Sequence, residues 1–205
     1  MNSRVSVRRY TGQRVFRVKL ADISRDLPLV RINPELYIAS NAELILGDVE
    51  FLSAAARVLA GKIDARSVDM ILTAEAKSIA LAYELSRLLG LGRFIVARKS
   101  AKAYVGNYIS QRVKSITTDS EQQLLLTKDE MAFLSGKKVC LLDDVVSTGA
   151  TIEALEDITR RAGGSVVCRA AIWKEGPWYK DEVVCAGNLP VFVTKNSPLL
   201  KEMQS

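Results

Sequence analysis

The chain has 205 residues, of which 48% are hydrophobic and 25% charged, a composition typical of a globular protein with one substantial core. No apolar run approaches the roughly 18 residues that a membrane span requires, and the N-terminal sequence MNSRVSVRRY lacks the apolar segment of a signal peptide, so a cytoplasmic protein without membrane contact is expected. Histidine is absent and the three cysteines are far apart in apolar segments, so no metal or redox motif is indicated and the cysteines are interpreted as buried small hydrophobic residues.

The net charge of +6 is concentrated in the N-terminal part of the chain. Residues 1–31 contain eight basic and two acidic side chains, whereas basic and acidic residues balance in the remainder. We therefore predict a basic arm at residues 1–31, followed by a folded domain at residues 32–205. The favoured interpretation is a solvated or dimer-contacting arm that raises the electrostatic potential around an anionic substrate. Nucleic acid is the less favoured partner, because few aromatic residues separate the charges and no known nucleic-acid-binding motif is matched.

Short apolar segments alternate along the chain with segments of helical spacing. Residues 13–20 alternate between apolar and charged side chains and predict a strand, followed by a turn near residues 26–28. The first helix is predicted to have Asp48 as its N-cap and to end at Gly61. Further strands are predicted at residues 36–39, 68–72, 94–97, 112–117, 124–127, 139–142, 165–172, 183–184 and 191–193. Further helices are predicted after the loop at residues 73–78, at residues 129–134 and at residues 151–162.

Apolar strands separated by helices predict an α/β fold with a parallel sheet flanked by helices. The strand, helix and strand between residues 68 and 97 are typical of a parallel crossover. Ligands of such sheets bind beyond the carboxyl ends of the strands. The loops that follow Leu72, Ala97 and Leu142 are therefore expected to converge on one edge.

The segment VCLLDDVVSTGAT, residues 139–151, has the strongest functional pattern in the sequence. An apolar strand is followed by Asp143 and Asp144, and then by a loop of small residues that opens a helix. Successive backbone N–H groups and hydroxyls at the start of a helix are suited to a phosphate monoester. Two carboxylates beside such a loop would repel a second phosphate but suit sugar hydroxyls or a hydrated cation. The combination predicts a sugar phosphate as ligand.

Other interpretations of this segment are weaker. Paired acids at a strand end also occur in phosphoacceptor and nucleotide-hydrolysing sites, and the sequence STGAT alone is compatible with a simple helix cap. The chain has no GxxxxGK[ST] motif of a P-loop and no GxGxxG motif of a dinucleotide-binding fold. These alternatives therefore lack their defining feature.

The same segment resembles the phosphoribosyl pyrophosphate (PRPP) motif of the type I phosphoribosyltransferases. MILTAEAKSIALAYEL is similar to the segment that holds the pyrophosphate loop of these enzymes, in the form found in adenine and xanthine phosphoribosyltransferases and in a purine-operon repressor. FIVARK resembles the strand that follows in the family, and LPVF resembles a C-terminal segment of the adenine-type members. The resemblance implies a parallel sheet flanked by helices, with a small hood built from the two ends of the chain, and a homodimer.

The resemblance also implies a role for each part of the site. Asp143 and Asp144 would contact the ribose hydroxyls and, through water, a Mg²⁺ ion, and these two acids with Lys99 are the implied catalytic residues. The implied 5-phosphate ligands are Ser147, Thr148, Gly149, Ala150 and Thr151. The implied pyrophosphate ligands are Ala74, Glu75, Ala76, Lys77, Arg98 and Lys99. Lys102 and Tyr104 are candidate residues of a mobile loop over the pyrophosphate, and a strained non-proline cis peptide bond is expected near Ala74–Glu75.

Two departures from the family leave the acceptor base open. The Glu-Tyr-Gly context of the mobile-loop glutamate in adenine enzymes is missing, and VKSITTDSEQ occupies its place, with Asp119 or Glu121 as possible substitutes. The asparagine–histidine motif with which the xanthine enzymes recognise their base is also absent. The first expectation is transfer of the 5-phosphoribosyl group from PRPP to a purine, with adenine first, in nucleotide salvage. Xanthine transfer, or a PRPP-sensing transcriptional regulator of the purine-repressor type, is the alternative.

Overall fold

The computed structural model of the protein describes residues 7–39, 46–100, 108–113 and 122–202. Its strands are β1 (Val7–Arg9), β2 (Val15–Leu20), β3 (Ile23–Asn33), β4 (Leu36–Ala39), β5 (Met70–Ala74), β6 (Phe94–Ala97), β7 (Tyr108–Val113), β8 (Gln122–Thr127), β9 (Lys138–Val146), β10 (Ser165–Glu175), β11 (Val184–Leu189) and β12 (Val191–Val193). Its helices are α1 (Val49–Ala60), α2 (Ile79–Leu88), α3 (Lys128–Leu134), α4 (Ala150–Arg161) and α5 (Pro198–Glu202), with a 3₁₀ turn at Ala65–Ser67. No helix in the described ranges has the length and apolar character needed to cross a membrane.

A five-stranded parallel sheet in the order β11–β10–β9–β5–β6 forms the centre of the protein. Residues 70–74 of β5 and 139–142 of β9 are buried and, apart from Thr73, apolar, as expected for a sheet that is covered on both faces. One group of buried residues includes Leu59 of α1 and Leu85 of α2, and another includes Leu155 of α4. The predicted α/β class with a helix-flanked parallel sheet is confirmed.

The two ends of the chain together form a second five-stranded sheet in the order β1–β12–β4–β3–β2, which we call the hood. Strand β12 comes from the C-terminal part and pairs in parallel with β1 and antiparallel with β4. Val18, Leu20 and Leu27 of the hood are buried in the same hydrophobic cluster as Phe51 and Trp173 of the central part. The hood therefore shares a core with the parallel sheet.

Six basic residues of the N-terminal part lie on strands β1, β2 and β3, and Arg14 lies in the bend before β2. Exposed Arg17 forms a bidentate ion pair with Asp26 across the β2–β3 hairpin, and Arg25 pairs with Asp48 at the start of α1. The alternating pattern places the charged side chains on the solvent face while Val18, Leu20 and Leu27 are buried. A solvated arm does not describe residues 15–31, although the boundary at residues 31 and 32 stays a prediction.

Several predicted elements agree with the structure. Strands β4, β6 and β12 have the predicted bounds. Helix α1 begins where predicted, because a side-chain oxygen of Asp48 accepts a hydrogen bond of 2.9 Å from the backbone N–H of Phe51. The expected convergence of strand ends depends on the parallel pairing of β5 with β6 and β9, which is observed.

The predicted turn at residues 26–28 is wrong. Strand β3 passes through these residues, with Pro28 opposite Val15 at the end of the β2–β3 pairing. The turn is instead at Ala21, whose φ of 51° is unusual for a residue other than glycine. Proline is tolerated at this position because it is exposed and the pairing with β2 ends there.

The central strands extend further toward the carboxyl end than predicted. Strand β9 continues through Asp143 and Asp144 to Val146, and β10 continues to Glu175. The cause is tertiary, since Asp143, Val145 and Val146 pair with Ala171, Trp173 and Lys174 of β10 in register. The two acids thus belong to the last part of the strand and not to the loop after it.

The cysteines are free thiols, but only one of them is fully buried. Cys140 lies in the core of β9, whereas Cys168 and Cys185 are half-buried. Burial as small hydrophobic residues is therefore correct for Cys140 and only partly correct for the other two.

Candidate active site

Three loops meet at the carboxyl edge of the parallel sheet. The hydroxyl of Thr73 donates a hydrogen bond of 2.8 Å to the carbonyl of Leu142, which ties the end of β5 to β9. The backbone N–H of Glu75 donates to the carbonyl of Ala97 at 2.9 Å, and a carboxylate oxygen of Glu75 accepts a hydrogen bond of 3.0 Å from the N–H of Lys99. The ends of β5, β6 and β9 are thus directly connected.

The loop between β5 and α2 approaches the two acids of β9. The ammonium of Lys77 lies 3.7 Å from a carboxylate oxygen of Asp144. The hydroxyl of Ser78, which is buried, lies 3.5 Å from a carboxylate oxygen of Asp143. The non-proline cis peptide bond expected near this loop joins Glu75 and Ala76, one residue later than the expected pair.

Asp143 and Asp144 place two carboxyl groups side by side at the end of β9. Asp144 is buried, with 8% of its surface exposed. Burial raises the pKa of Asp143 well above its usual range, and the neighbouring Asp144 charge raises it further, while Lys77 acts in the opposite direction. Two adjacent carboxylates in this setting favour an additional cation.

The chemistry of these acids fits a hydrated Mg²⁺ ion. Among the described residues, no group of three or more His, Cys, Asp or Glu side chains is arranged as a metal site. Mg²⁺ commonly keeps several waters and uses one or two protein carboxylates together with substrate phosphates. Asp143 and Asp144 supply that number of carboxylates, so a resident protein-only metal cage is not required.

The loop at residues 147–151 presents the free backbone amides of a helix N-terminus. Gly149 is the N-cap of α4, with a φ of 89°, and no side chain caps the helix. The first intrahelical bond runs from the N–H of Glu153 to the carbonyl of Gly149, so the preceding amides have no helical acceptor. Ser147, Thr148 and Thr151 add half-buried hydroxyls beside these amides. This arrangement is suited to binding an anion such as a phosphate.

Two residues that the sequence analysis missed support this loop. Glu175, at the end of β10, is buried, and burial raises its pKa to about 7, while a side-chain hydrogen bond with Ser147 acts in the opposite direction. Tyr179 is also buried, and its backbone N–H donates a hydrogen bond of 3.2 Å to the carbonyl of Ser147. Glu175 lies at the carboxyl end of a central strand, where site residues are expected. The sequence predicts that this strand ends at residue 172, so Glu175 was not recognised as a site residue. The sequence held no pattern that singles out Tyr179.

The remaining predicted residues have different positions. Arg98 pairs through its backbone with Leu125 of β8, and its guanidinium lies 3.8 Å from a carboxylate oxygen of Glu130 in α3. Lys99 is exposed beside Glu75. Ala74 is buried and Ala76 is exposed in the loop. Four further candidates lie outside the described residues: Lys102, Tyr104, Asp119 and Glu121.

A parallel α/β sheet with two acids and an uncapped helix N-terminus at its carboxyl edge is the arrangement expected of proteins that bind phosphorylated sugars. The sequence model of the phosphoribosyl transferase domain family matches residues 45–193, well over half of the chain. The chain therefore belongs to the phosphoribosyl transferase family, and the resemblance found in the sequence is confirmed.

Individual relatives in this family carry the name adenine phosphoribosyltransferase. The Thermosipho africanus enzyme is 32% identical over 123 residues, which cover 60% of this chain and 69% of that one. The Clostridium botulinum enzyme (strain Eklund 17B) is 29% identical over 129 residues, which cover 62% of this chain and 70% of that one.

Solved structures with the same name share the fold. The adenine phosphoribosyltransferase of Thermoanaerobacter pseudethanolicus has a TM-score of 0.64 at 20% identity, covering 79% of this chain and 95% of that chain. The corresponding structure from Rhodothermus marinus has a TM-score of 0.61 at 23% identity, covering 80% and 94%.

Proposed function

We propose that the protein transfers the 5-phosphoribosyl group of PRPP to a purine base, with adenine as the first candidate, and releases pyrophosphate. The observation that carries this proposal is the meeting of three elements at one sheet edge. These are the acids of β9, the amides at the start of α4, and the loop at residues 74–78, with Lys77 within 3.7 Å of Asp144. Membership in the phosphoribosyl transferase family and similarity to adenine phosphoribosyltransferases support the choice of reaction and base.

The reaction exchanges one bond at the anomeric carbon of the ribose. The bond from this carbon to pyrophosphate oxygen breaks, a bond to a ring nitrogen of the base forms, and the base loses a proton. Because positive charge develops on the ribose and negative charge on the leaving group, the protein must align the two reactants and stabilise the departing pyrophosphate.

Each part of the site has a task in this scheme. The amides and hydroxyls of residues 147–151 hold the 5-phosphate, and Asp143 and Asp144 bind the ribose hydroxyls. The loop at residues 74–77, together with Arg98 and Lys99, binds the pyrophosphate, and Lys77 and Lys99 provide exposed ammonium groups for it. A Mg²⁺ ion held through water by Asp143 and Asp144 would add positive charge beside the leaving group.

The test is turnover of PRPP with a panel of bases. The purified protein is incubated with PRPP and Mg²⁺ and with adenine, guanine, hypoxanthine, xanthine, uracil or orotate, and nucleotide and pyrophosphate are quantified. We expect AMP from adenine, no product when EDTA replaces Mg²⁺, and at least a roughly 100-fold loss of rate in Asp143→Asn/Asp144→Asn. Xanthosine monophosphate as the main product would change the acceptor, and the absence of every nucleotide would overturn the proposal.

We further propose a homodimer that works in the cytoplasm as the functional form. The N-terminal strands present an exposed cationic surface at residues 8–31, which is available for a contact between copies or for attracting an anionic substrate. Analytical ultracentrifugation tests the assembly, and a species of monomer mass at micromolar concentration would contradict the dimer.

A further inference from the structure

The segment between β10 and β11 connects the hood with the phosphate-binding loop. It begins at Gly176, whose N–H donates a hydrogen bond of 3.1 Å to the carbonyl of Leu189 at the end of β11. Trp178 packs on Gly176 and on the hood cluster of Val7, Val191 and Val193. The next residue along the chain, Tyr179, contacts the loop at residues 147–151 instead. Two consecutive aromatic residues therefore anchor this segment to two different parts of the protein.

Tyr179 contacts the phosphate-binding loop at two points. Its backbone N–H donates a hydrogen bond of 3.2 Å to the carbonyl of Ser147. Its ring lies so close to Gly149 that a Cβ added there would be 2.0 Å from Cδ2 and 2.3 Å from Cε2 of the ring. One residue thus restrains both the first residue of the loop and its central glycine.

The ring of Tyr179 supports the loop from its interior side. Only 5% of the residue is exposed, and it belongs to the hydrophobic cluster that contains Val146, Ile152 and Leu155. The ammonium of Lys174 lies 5.6 Å from the ring centroid and donates a hydrogen bond of 3.0 Å to the carbonyl of Asp181, which fastens the segment on its other side.

A loop of this composition needs such external support. Its residues are small, its helix has no side-chain cap, and Gly149 is the residue type with the greatest backbone freedom. Amides that bind phosphate must be aimed in advance, since a displacement of about 1 Å at a substrate-positioning group can reduce the rate by roughly 100-fold. A rigid aromatic ring and one backbone hydrogen bond supply this restraint.

We infer that Tyr179 is a positioning residue for the 5-phosphate of the substrate, acting through Ser147 and Gly149 of the phosphate-binding loop. This inference rests on the proposed function. If Tyr179 contributed only to core packing, its replacement would change the binding of all ligands to the same extent or of none.

The experiment compares Tyr179→Leu with Trp178→Leu. Both variants replace a large aromatic residue of the same segment with leucine, but only Tyr179 contacts the loop. The KM for PRPP, the KM for adenine, kcat and the melting temperature are measured for each, and the Kd of ribose 5-phosphate is measured by calorimetry. Tyr179→Phe, which keeps the ring and the backbone hydrogen bond, is the conservative control.

The expected result is selective for the phosphate. Tyr179→Leu should raise the KM for PRPP and the Kd of ribose 5-phosphate by about tenfold, with the KM for adenine changed less than about twofold. Tyr179→Phe should keep the KM for PRPP and the Kd of ribose 5-phosphate close to those of wild type. Trp178→Leu should lower the melting temperature without a selective effect on either of these two constants. If Tyr179→Leu does not fold, Tyr179→Met replaces it, because methionine adapts to irregular space.

Two results with the variants would overturn the inference, as would one with the wild-type protein. One is a folded Tyr179 variant that binds ribose 5-phosphate as the wild type does, and the other is an equal loss of ribose 5-phosphate binding in Trp178→Leu. Failure of the proposed function is a separate outcome, visible as wild-type protein that binds ribose 5-phosphate but turns over no base. Wild-type protein that does not bind ribose 5-phosphate would overturn the inference itself.

Discussion

Gly149 combines two requirements that no other residue type meets. Its φ of 89° lies in the left-handed region, where a side chain is strained, and its Cα faces the ring of Tyr179 without room for a methyl group. Gly12 has a similar φ of 94°, but nothing lies within 4 Å of the place of its missing Cβ. Comparing substitutions at Gly149 and Gly12 therefore separates the free-energy cost of the left-handed backbone from the cost of contact with the Tyr179 ring.

We predict that Gly149→Ala is more harmful than Gly12→Ala. Both should lose about 1–2 kcal/mol of unfolding free energy through backbone strain, and Gly149→Ala should lose more because the added methyl group displaces the ring of Tyr179. Gly149→Ala should also raise the KM for PRPP, which Gly12→Ala should leave unchanged. Urea unfolding and steady-state kinetics measure the two effects, and equal losses in both variants would contradict the role of the tyrosine contact.

Glu175 gives the protein a pH-dependent stability. Its pKa is raised by burial to about 7 from 4.5, while Asp144 raises it further and Ser147 and Lys77 act in the opposite direction. Because the folded state holds the proton more tightly, ionisation of Glu175 lowers the free energy of unfolding as the pH rises from about 4.5 to about 7. The effect is absent below this window and complete above it.

We predict that Glu175→Gln removes this contribution. The free energy of unfolding of the variant, relative to that of wild type, should rise between about pH 4.5 and about pH 7, by up to the order of 3 kcal/mol. The measurement is thermal unfolding without added metal, and exposed Glu153→Gln is the baseline. A constant difference between Glu175→Gln and wild type across this pH range would contradict the raised pKa.

Among the strands and helices, those whose bounds depend on neighbouring residues in the sequence were predicted best. The bounds of β4, β6 and β12 follow from short apolar runs between polar residues, and the start of α1 follows from the capping residue Asp48. The ends of β9 and β10 depend on pairing between strands, which local composition does not contain. Asp and Pro at residues 26–28 are typical of a turn, yet cross-strand pairing holds them in β3.

The same distinction applies to the candidate site. Residues 143–151 were predictable, because one continuous segment contains the acids, the glycine and the helix start. Ser78 and Glu175 reach the same edge from other loops or strands, and Tyr179 comes from an irregular segment. Their contribution depends on the assembled sheet and not on spacing along the chain.

Helix α3 provides a test of local capping next to the site. The hydroxyl of Thr127 accepts a hydrogen bond from the N–H of Glu130 at 3.2 Å, and the carboxylate of Glu130 accepts one from the N–H of Thr127 at 2.7 Å. The same carboxylate group lies 3.8 Å from the guanidinium of Arg98. The stability of α3 and the position of the Arg98 guanidinium therefore both depend on the side chain of Glu130.

We predict that Thr127→Ala and Glu130→Gln separate these two effects. Thr127→Ala should reduce the unfolding free energy by about 1 kcal/mol, because an N-cap is lost. Glu130→Gln should retain most of the stability, since glutamine also serves in a capping box, while it removes the charge opposite Arg98. Urea unfolding and the KM for PRPP are the measurements, and a greater loss of stability in Glu130→Gln than in Thr127→Ala would contradict the assignment.

The hood shares one of its hydrophobic clusters with the parallel sheet and helix α1. The centroids of the Phe51 and Trp173 rings are 6.2 Å apart, and Val18, Leu20 and Leu27 of the β2–β3 hairpin are buried in the same cluster. Removing three buried aliphatic side chains from a core costs about 1.5–3 kcal/mol for each. This sum is comparable with the total stability of an ordinary domain of about 5–15 kcal/mol.

We therefore predict that the N-terminal part is not a separable arm. A variant that begins at residue 34 loses the hairpin and exposes the apolar surface of α1 that it covers, so it should unfold cooperatively at a much lower temperature or fail to fold. Arg17→Ala/Lys19→Ala, which removes two exposed charges from the hairpin and none of its buried side chains, is the matched control and should melt close to wild type. Circular dichroism and calorimetry measure both variants. A truncated protein with the wild-type melting temperature would show that the hairpin is dispensable and that the interpretation as a basic arm extends to residues 15–31.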